Sequence, residues 1–143
     1  MVKRLSVLAL SLGCSVFTGP GNFSHAVATF ACGPADGPAT WITLASRPIP
    51  PAGPRFPYVA IMIDEPISAL AGRTFLAGSG GTAGATYVAV LNSFEYASMG
   101  RVIIGSVDAD STIHGEVSLT FPSRQVVAAF IAPWIRPIGT LCG

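Results

Sequence analysis

The stretch TIHGEVSLTF, Thr112–Phe121, decides the fold class. Ile113, Gly115, Val117, Leu119 and Phe121 alternate with His114, Glu116, Ser118 and Thr120. A period of two sends one set to a buried face and the other into water, the pattern of a half-buried antiparallel strand. A slip of one residue would bury His114 and Glu116 and expose the apolar set. Burying an unpaired carboxylate is costly, so His114 and Glu116 are expected at the surface.

Working outward, Pro122–Arg124 (PSR) turns the chain into QVVAAFIAPW, Gln125–Trp134, which completes a hairpin. This second segment is apolar on both faces. Val126, Ala128, Phe130, Ala132 and Trp134 lie on one, and Val127, Ala129 and Ile131 on the other. It is expected well inside the sheet until Pro133, which lacks a backbone donor, forces an edge or an exit.

Upstream, proline and glycine divide the chain into further short runs rich in β-branched and aromatic residues. These are Thr40–Ser46, Pro57–Asp64, Arg73–Gly78, Ala85–Asn92 and Arg101–Asp108. With the hairpin they make seven segments ending at turn formers, and no window of a dozen residues shows a helical period. The expected fold is all-β, a small antiparallel β-sandwich or barrel of about seven short strands. Glu65–Gly72 and Ser93–Gly100 are each expected to supply a loop or a single helical turn. Pro48, Pro51, Pro54 and Pro57 recur every third residue, the repeat of a polyproline II connector, and Ala77–Gly84 (AGSGGTAG) reads as a flexible loop.

The segments GEVSLTF and FIAPW and the terminal LCG together resemble a loose group of small exported bacterial β proteins without assigned activity. The resemblance covers about the last third of the chain. It implies a β fold and carries over no site residue.

The N-terminus reads as a secretory signal. Lys3 and Arg4 precede an apolar run, LSVLALSLGCSVF, followed by the helix-breaking TGPGN and the small residues SHAVA. The run falls short of the roughly 20 residues that span a bilayer as a helix. The expected division is a signal peptide over 1–26, cut near Ala26 or Ala28, and a single β domain over 27–143. The rival is lipid attachment to Cys14, the one route by which a membrane enters the reading. Gly13 suits the position before a lipidated cysteine, but Ser11 stands where leucine is usual. Loss of Cys14 leaves Cys32 and Cys142 as an even pair for a disulfide in an oxidising compartment.

Charged residues make up 10% of the chain, far below the usual quarter. No lysine follows Lys3, and the rest of the chain sets six arginines against seven acids. Neither a basic nucleic-acid footprint nor an acidic tail is present, so no nucleic-acid partner is expected.

One polar cluster carries the residue types of chemistry: Asp108, Asp110, His114 and Glu116 in DADSTIHGE. Two carboxylates and an imidazole are the donor set of a divalent metal or of a general acid–base pair. A calcium loop would want a third acid and a glycine where Thr112 and Ile113 stand. Asp in a turn bonds its own backbone, and His and Glu on an alternating strand are its wet face. The AGSGG sequence around Ser79 lacks the pattern of a nucleophile elbow, and the glycine loop lacks the lysine of a phosphate cradle. No cofactor is expected. Trp41, Trp134, Tyr58, Tyr87 and Tyr96 would stack on sugars where exposed. The leading expectation is an exported, non-enzymatic β domain that binds a surface, a protein or a small apolar ligand. The alternatives are a small hydrolase or metal-dependent enzyme built on Asp108, Asp110, His114 and Glu116, and a barrel carrying lipid between doubly apolar strands.

Overall fold

The computed structural model describes residues 23–136 and Cys142. Cys14 and the apolar run around it lie outside the described residues. Ten strands follow in chain order: β1 (His25–Cys32), β2 (Pro38–Ala45), β3 (Tyr58–Ile63), β4 (Thr74–Gly78), β5 (Ala83–Val90), β6 (Ser93–Tyr96), β7 (Met99–Val107), β8 (Ile113–Phe121), β9 (Arg124–Ala132) and β10 (Trp134–Ile135). A single 3-10 turn, Ile67–Ala69, lies between β3 and β4.

All ten strands belong to one sheet with the order β10-β1-β2-β3-β5-β4-β7-β8-β9, and β6 pairs with β5 beside this path. The sheet curls into a half-barrel. The all-β class stands, but two details of the expectation do not. The strands form one curled sheet of ten rather than a seven-stranded sandwich. The sheet is also mixed, because β1 pairs with β10, and β4 with β5, in parallel.

The curl brings the two ends of the path together. β9 and β10 are consecutive in the chain, separated only by Pro133, and they stand at opposite ends of the strand order. Pro133 stops β9, and its carbonyl accepts a hydrogen bond from the Ala28 amide at 2.9 Å. The chain then pairs Ala28 with Trp134 and Thr29 with Ile135. Pro133 thus forces the expected exit, and the exit leads onto β1.

β8 follows the sequence pattern residue by residue. Ile113, Val117, Leu119 and Phe121 are buried, while Glu116 and Ser118 are exposed. Gly115 belongs to the inward set because a side chain there would collide: a Cβ would stand 2.6 Å from the Ile103 carbonyl oxygen and 2.7 Å from Cζ of Phe130. Phe130, the register partner of Gly115 on β9, fills that space.

The placement of β9 corrects the expectation drawn from its doubly apolar sequence. It is the last strand of the path, with Val126, Phe130 and Ala132 in the core and its other face in solvent. Val127 is 76% and Ile131 61% exposed. Apolar character on both faces is necessary for a central strand, but it does not create a layer to cover the second face.

Three segments read as irregular or flexible are also ordered differently. Ser93–Tyr96 is strand β6, not a helical turn. The connector from β2 to β3 is no uniform polyproline helix, since a turn closed by the Gly53 amide on the Pro50 carbonyl at 3.0 Å interrupts it. In the glycine-rich segment, β4 runs to Gly78 and β5 starts at Ala83, joined by a tight turn in which the Gly81 amide bonds the Gly78 carbonyl at 3.0 Å.

The core lies on the concave side. Ile42, Leu44, Val59, Ile61, Ile63, Phe75, Val102, Ile104, Ile113 and Leu119 are its largest fully buried members along with Leu70 of the β3–β4 connection. Phe23, ahead of β1, joins the same core and meets the ring of Tyr87 edge-on at 6.4 Å between centroids. The buried Thr40 hydroxyl donates to the Glu65 carbonyl at 2.9 Å, and no buried side-chain nitrogen or oxygen among the described residues lacks a partner. Cys32, the last residue of β1, is joined to Cys142 with Cα atoms 5.5 Å apart, the pairing expected from cysteine parity.

Candidate functional site

Two surfaces hold the residues that the sequence marks out. The first is the corner between β7 and β8. A tight turn closes at Asp108, whose amide bonds the Thr112 carbonyl and whose carbonyl accepts from the Ser111 amide, both at 2.9 Å. Ser111 takes a positive φ of 68° to complete it. The Asp110 carboxylate accepts from the Thr112 amide at 3.1 Å. Hydrogen bonding from Thr112, by its side chain first and its backbone second, holds the Asp110 carboxyl below the usual aspartate range, and His114 adds a smaller pull. Asp110 therefore braces its own turn.

Across that turn, Nε2 of His114 lies 2.7 Å from Oδ2 of Asp108, with both side chains substantially exposed. So the structure brings together two of the four candidates. Glu116, two residues along β8, is exposed and stands between Ile103 and Ala129 of the flanking strands. It borders, with His114, a shallow open depression of about 310 Å³. Ser106 faces His114 across the ladder beside a bulge in β7, but the imidazole's side-chain hydrogen bond goes to Asp108. A nucleophilic relay requires the base to hold the hydroxyl, which this pairing does not supply. Among the described residues, no three His, Cys, Asp or Glu side chains stand close enough to hold a metal ion.

The second surface is the convex face of β2, β3, β5 and β6. Register sets its composition. Ala45, Tyr58, Val88 and Phe94 form one cross-strand row, and Thr43, Ala60, Thr86 and Tyr96 the next; Ala45, Thr43 and Ala60 are buried, so these rows open to solvent toward β5 and β6. Trp41 and Met62 begin a third. These rows contain no acid, lysine or arginine. Phe94 is 56% and Tyr96 67% exposed, with their rings edge to face at 5.6 Å. Phe56, just ahead of β3, stacks on Tyr58 at 5.7 Å with ring planes 22° apart. Phe56 and Trp41 are also exposed. Of the aromatics noted in the sequence, Trp41, Tyr58 and Tyr96 reach this face, Tyr87 is buried, and Trp134 is half-buried in β10.

Phe94 and Phe56 escaped the sequence reading because each lies in a segment read as irregular. The available signal was the alternation in SFEY, which puts Phe94 and Tyr96 on one side and Glu95 on the other. Glu95 turns toward the β8–β9 turn, where it accepts a hydrogen bond from the Ser123 hydroxyl at 2.6 Å. Ser123 in turn accepts from Nε of Arg124 at 3.2 Å, and that guanidinium lies 4.0 Å over the Tyr87 ring. This chain of contacts ties the short strand β6 down and leaves its two rings outward.

No protein-family model matches the chain, and no curated protein or solved structure matches it either. No helix among the described residues is long and apolar enough to cross a membrane.

Proposed function

We propose that this chain is an exported, non-enzymatic binding domain that meets an uncharged surface or protein through the convex aromatic face of β2, β3, β5 and β6. The observation that carries the reading is the exposure of Phe94 and Tyr96 in rows without a single formal charge. Exposed aromatic pairs that leave a polar edge in water are typical of contact surfaces, where rigid rings add apolar area at small entropic cost. The Cys32–Cys142 disulfide supports an oxidising compartment.

The filled concave side weighs against lipid carriage, since the doubly apolar strands spend their inward residues on the core. An enzymatic reading has one observation in its favour, the 2.7 Å contact of His114 with Asp108. That pair closes a turn, and the depression beside it is open and shallow.

The test is cosedimentation of the exported protein with insoluble envelope polysaccharide and with envelope protein. The Phe94→Ser, Tyr96→Ser double variant is expected to keep its melting temperature and lose at least tenfold in retention. A His114→Ala, Glu116→Ala variant is expected to bind as the parent does. Equal binding by the aromatic variant, or loss of a measurable activity in the His114 variant, would overturn the reading.

A further inference from the structure

The outer face of β4, β7, β8 and β9 carries apolar area separate from the aromatic rows. Register sets three rows across it. Leu76, Arg101, Ser118 and Val127 form one, Thr74, Ile103, Glu116 and Ala129 the next, and Met99, Thr120 and Gln125 the third. Leu76 is 63%, Met99 62% and Val127 76% exposed. The rows hold two formal charges of opposite sign, Arg101 and Glu116, both exposed. They stand at diagonal positions on neighbouring strands and border an open hollow of about 350 Å³, with Ser118 and Ala129 in its lining. Among the described residues the ion pairs are Arg73 with Glu65 and His114 with Asp108, and neither Arg101 nor Glu116 takes part.

We infer that this face pairs with the same face of a second copy of the chain, about a two-fold axis that sets each Arg101 against the Glu116 of the other copy. A partner has to offer an anion opposite Arg101 and a cation opposite Glu116, with apolar area between them. The chain's own face meets both requirements. A two-fold axis lying between the two faces, through the midpoint of the line from Arg101 to Glu116 and at right angles to it, exchanges the two positions. Both charges are then satisfied at once, and each pair occurs twice. The axis runs near the opposite diagonal, Ile103 to Ser118, and on toward Val127, so Ile103 and Val127 each meet their own counterpart. The contact has an apolar centre flanked by two equivalent ion pairs, and a wrong register would set like charges together. Three short rows on an outward-curving sheet fall below the roughly 800 Å² per partner of a standard interface. The association is therefore weak, present in concentrated solution and absent from dilute. The aromatic rows of β2, β3, β5 and β6 take no part in it and stay free in both states.

The full chain is expressed in an exporting bacterial host, and the purified protein is sedimented at concentrations from about 1 μM to about 1 mM. The expected result is a monomer at the dilute end and a dimer at the concentrated end. Arg101→Glu and Glu116→Arg each replace two attractions by two repulsions, and each is expected to weaken the dimer about tenfold or more. Mixed in equal amounts, the two variants are expected to form a heterodimer, because opposite charges again face each other at both positions. A chain carrying both substitutions is expected to associate as the parent does, and either recovery shows that the substituted chains are folded. A parent that stays monomeric throughout, or a dimer that the single reversals leave unchanged, would overturn the inference. Weakening by the single reversals with no recovery in the mixture or in the double variant would overturn the arginine–glutamate pairing. Single reversals that lower the melting temperature of the dilute protein and leave its association unaltered would assign the two charges to each other within one chain, and overturn it as well.

Discussion

At the scale of single residues, two positions carry more than their chemistry suggests. Gly115 sits in a strand interior, where glycine is ordinarily a weakness, yet here it makes room for the ring of Phe130. Gly115→Ala forces the Ile103 carbonyl and the Phe130 ring apart, and overpacking of this kind costs about 1–3 kcal/mol. Urea denaturation should show a lower midpoint with an unchanged slope. Asp110 is the second. Its depressed pKa means that the Thr112 hydrogen bonds favour the ionised, folded turn. That contribution is fully present above the usual aspartate range and disappears as the pH falls through the depressed value. In Thr112→Val the side-chain donor is lost and the backbone donor stays, so the Asp110 titration is expected to move up toward an ordinary aspartate. Carboxyl-carbon NMR of Asp110 in both proteins measures the shift.

Among the elements, β9 separates what an apolar residue contributes when covered from what it contributes when bare. Phe130 and Val127 lie three residues apart on one strand, the first in the core and the second in water. Phe130→Ala is expected to destabilise by about 3–5 kcal/mol, whereas Val127→Thr should stay within about 0.5 kcal/mol. Thermal melts of the two variants test this directly, and comparable losses would place β9 inside the sheet after all. The alternation of Thr112–Phe121 made β8 legible because one of its faces is wet. The composition of β9 is apolar on both sides, and only its place in the strand order shows which side is covered. The same logic applies to β6. Four residues are too few to announce a strand, and pairing with β5 and the Ser123–Glu95 bond give it its form. Asp108 and His114 were legible as one cluster from their spacing, but the turn that brings them to 2.7 Å also spends Asp110 on its own backbone.

At the scale of the whole molecule, closure depends on the chain's two described ends. β10 pairs with β1, and Cys32 at the end of β1 is tied to Cys142 over a sequence separation of 110. Closing a loop of that length in the unfolded chain is worth about 4.7 kcal/mol in the loop-entropy account. The Cys32→Ser, Cys142→Ser variant should therefore unfold at markedly lower denaturant with its all-β circular dichroism spectrum retained in the absence of denaturant. A midpoint unchanged from the parent would show that pairing of β10 with β1 holds the ends without the covalent tie.

The amino-acid sequence by itself determined the all-β class, the inward and outward sets of β8, the exit at Pro133 and the pairing of Cys32 with Cys142. These follow from local periodicity, from the missing donor of one residue type and from cysteine parity, and none requires knowledge of distant neighbours. The tertiary structure alone decided the strand order, the two parallel pairings, the bare face of β9 and the convex aromatic rows that join Tyr58, Val88 and Phe94. Those depend on which strands lie side by side. A strand's own residues specify the faces it presents, while its neighbours decide which of those faces is covered.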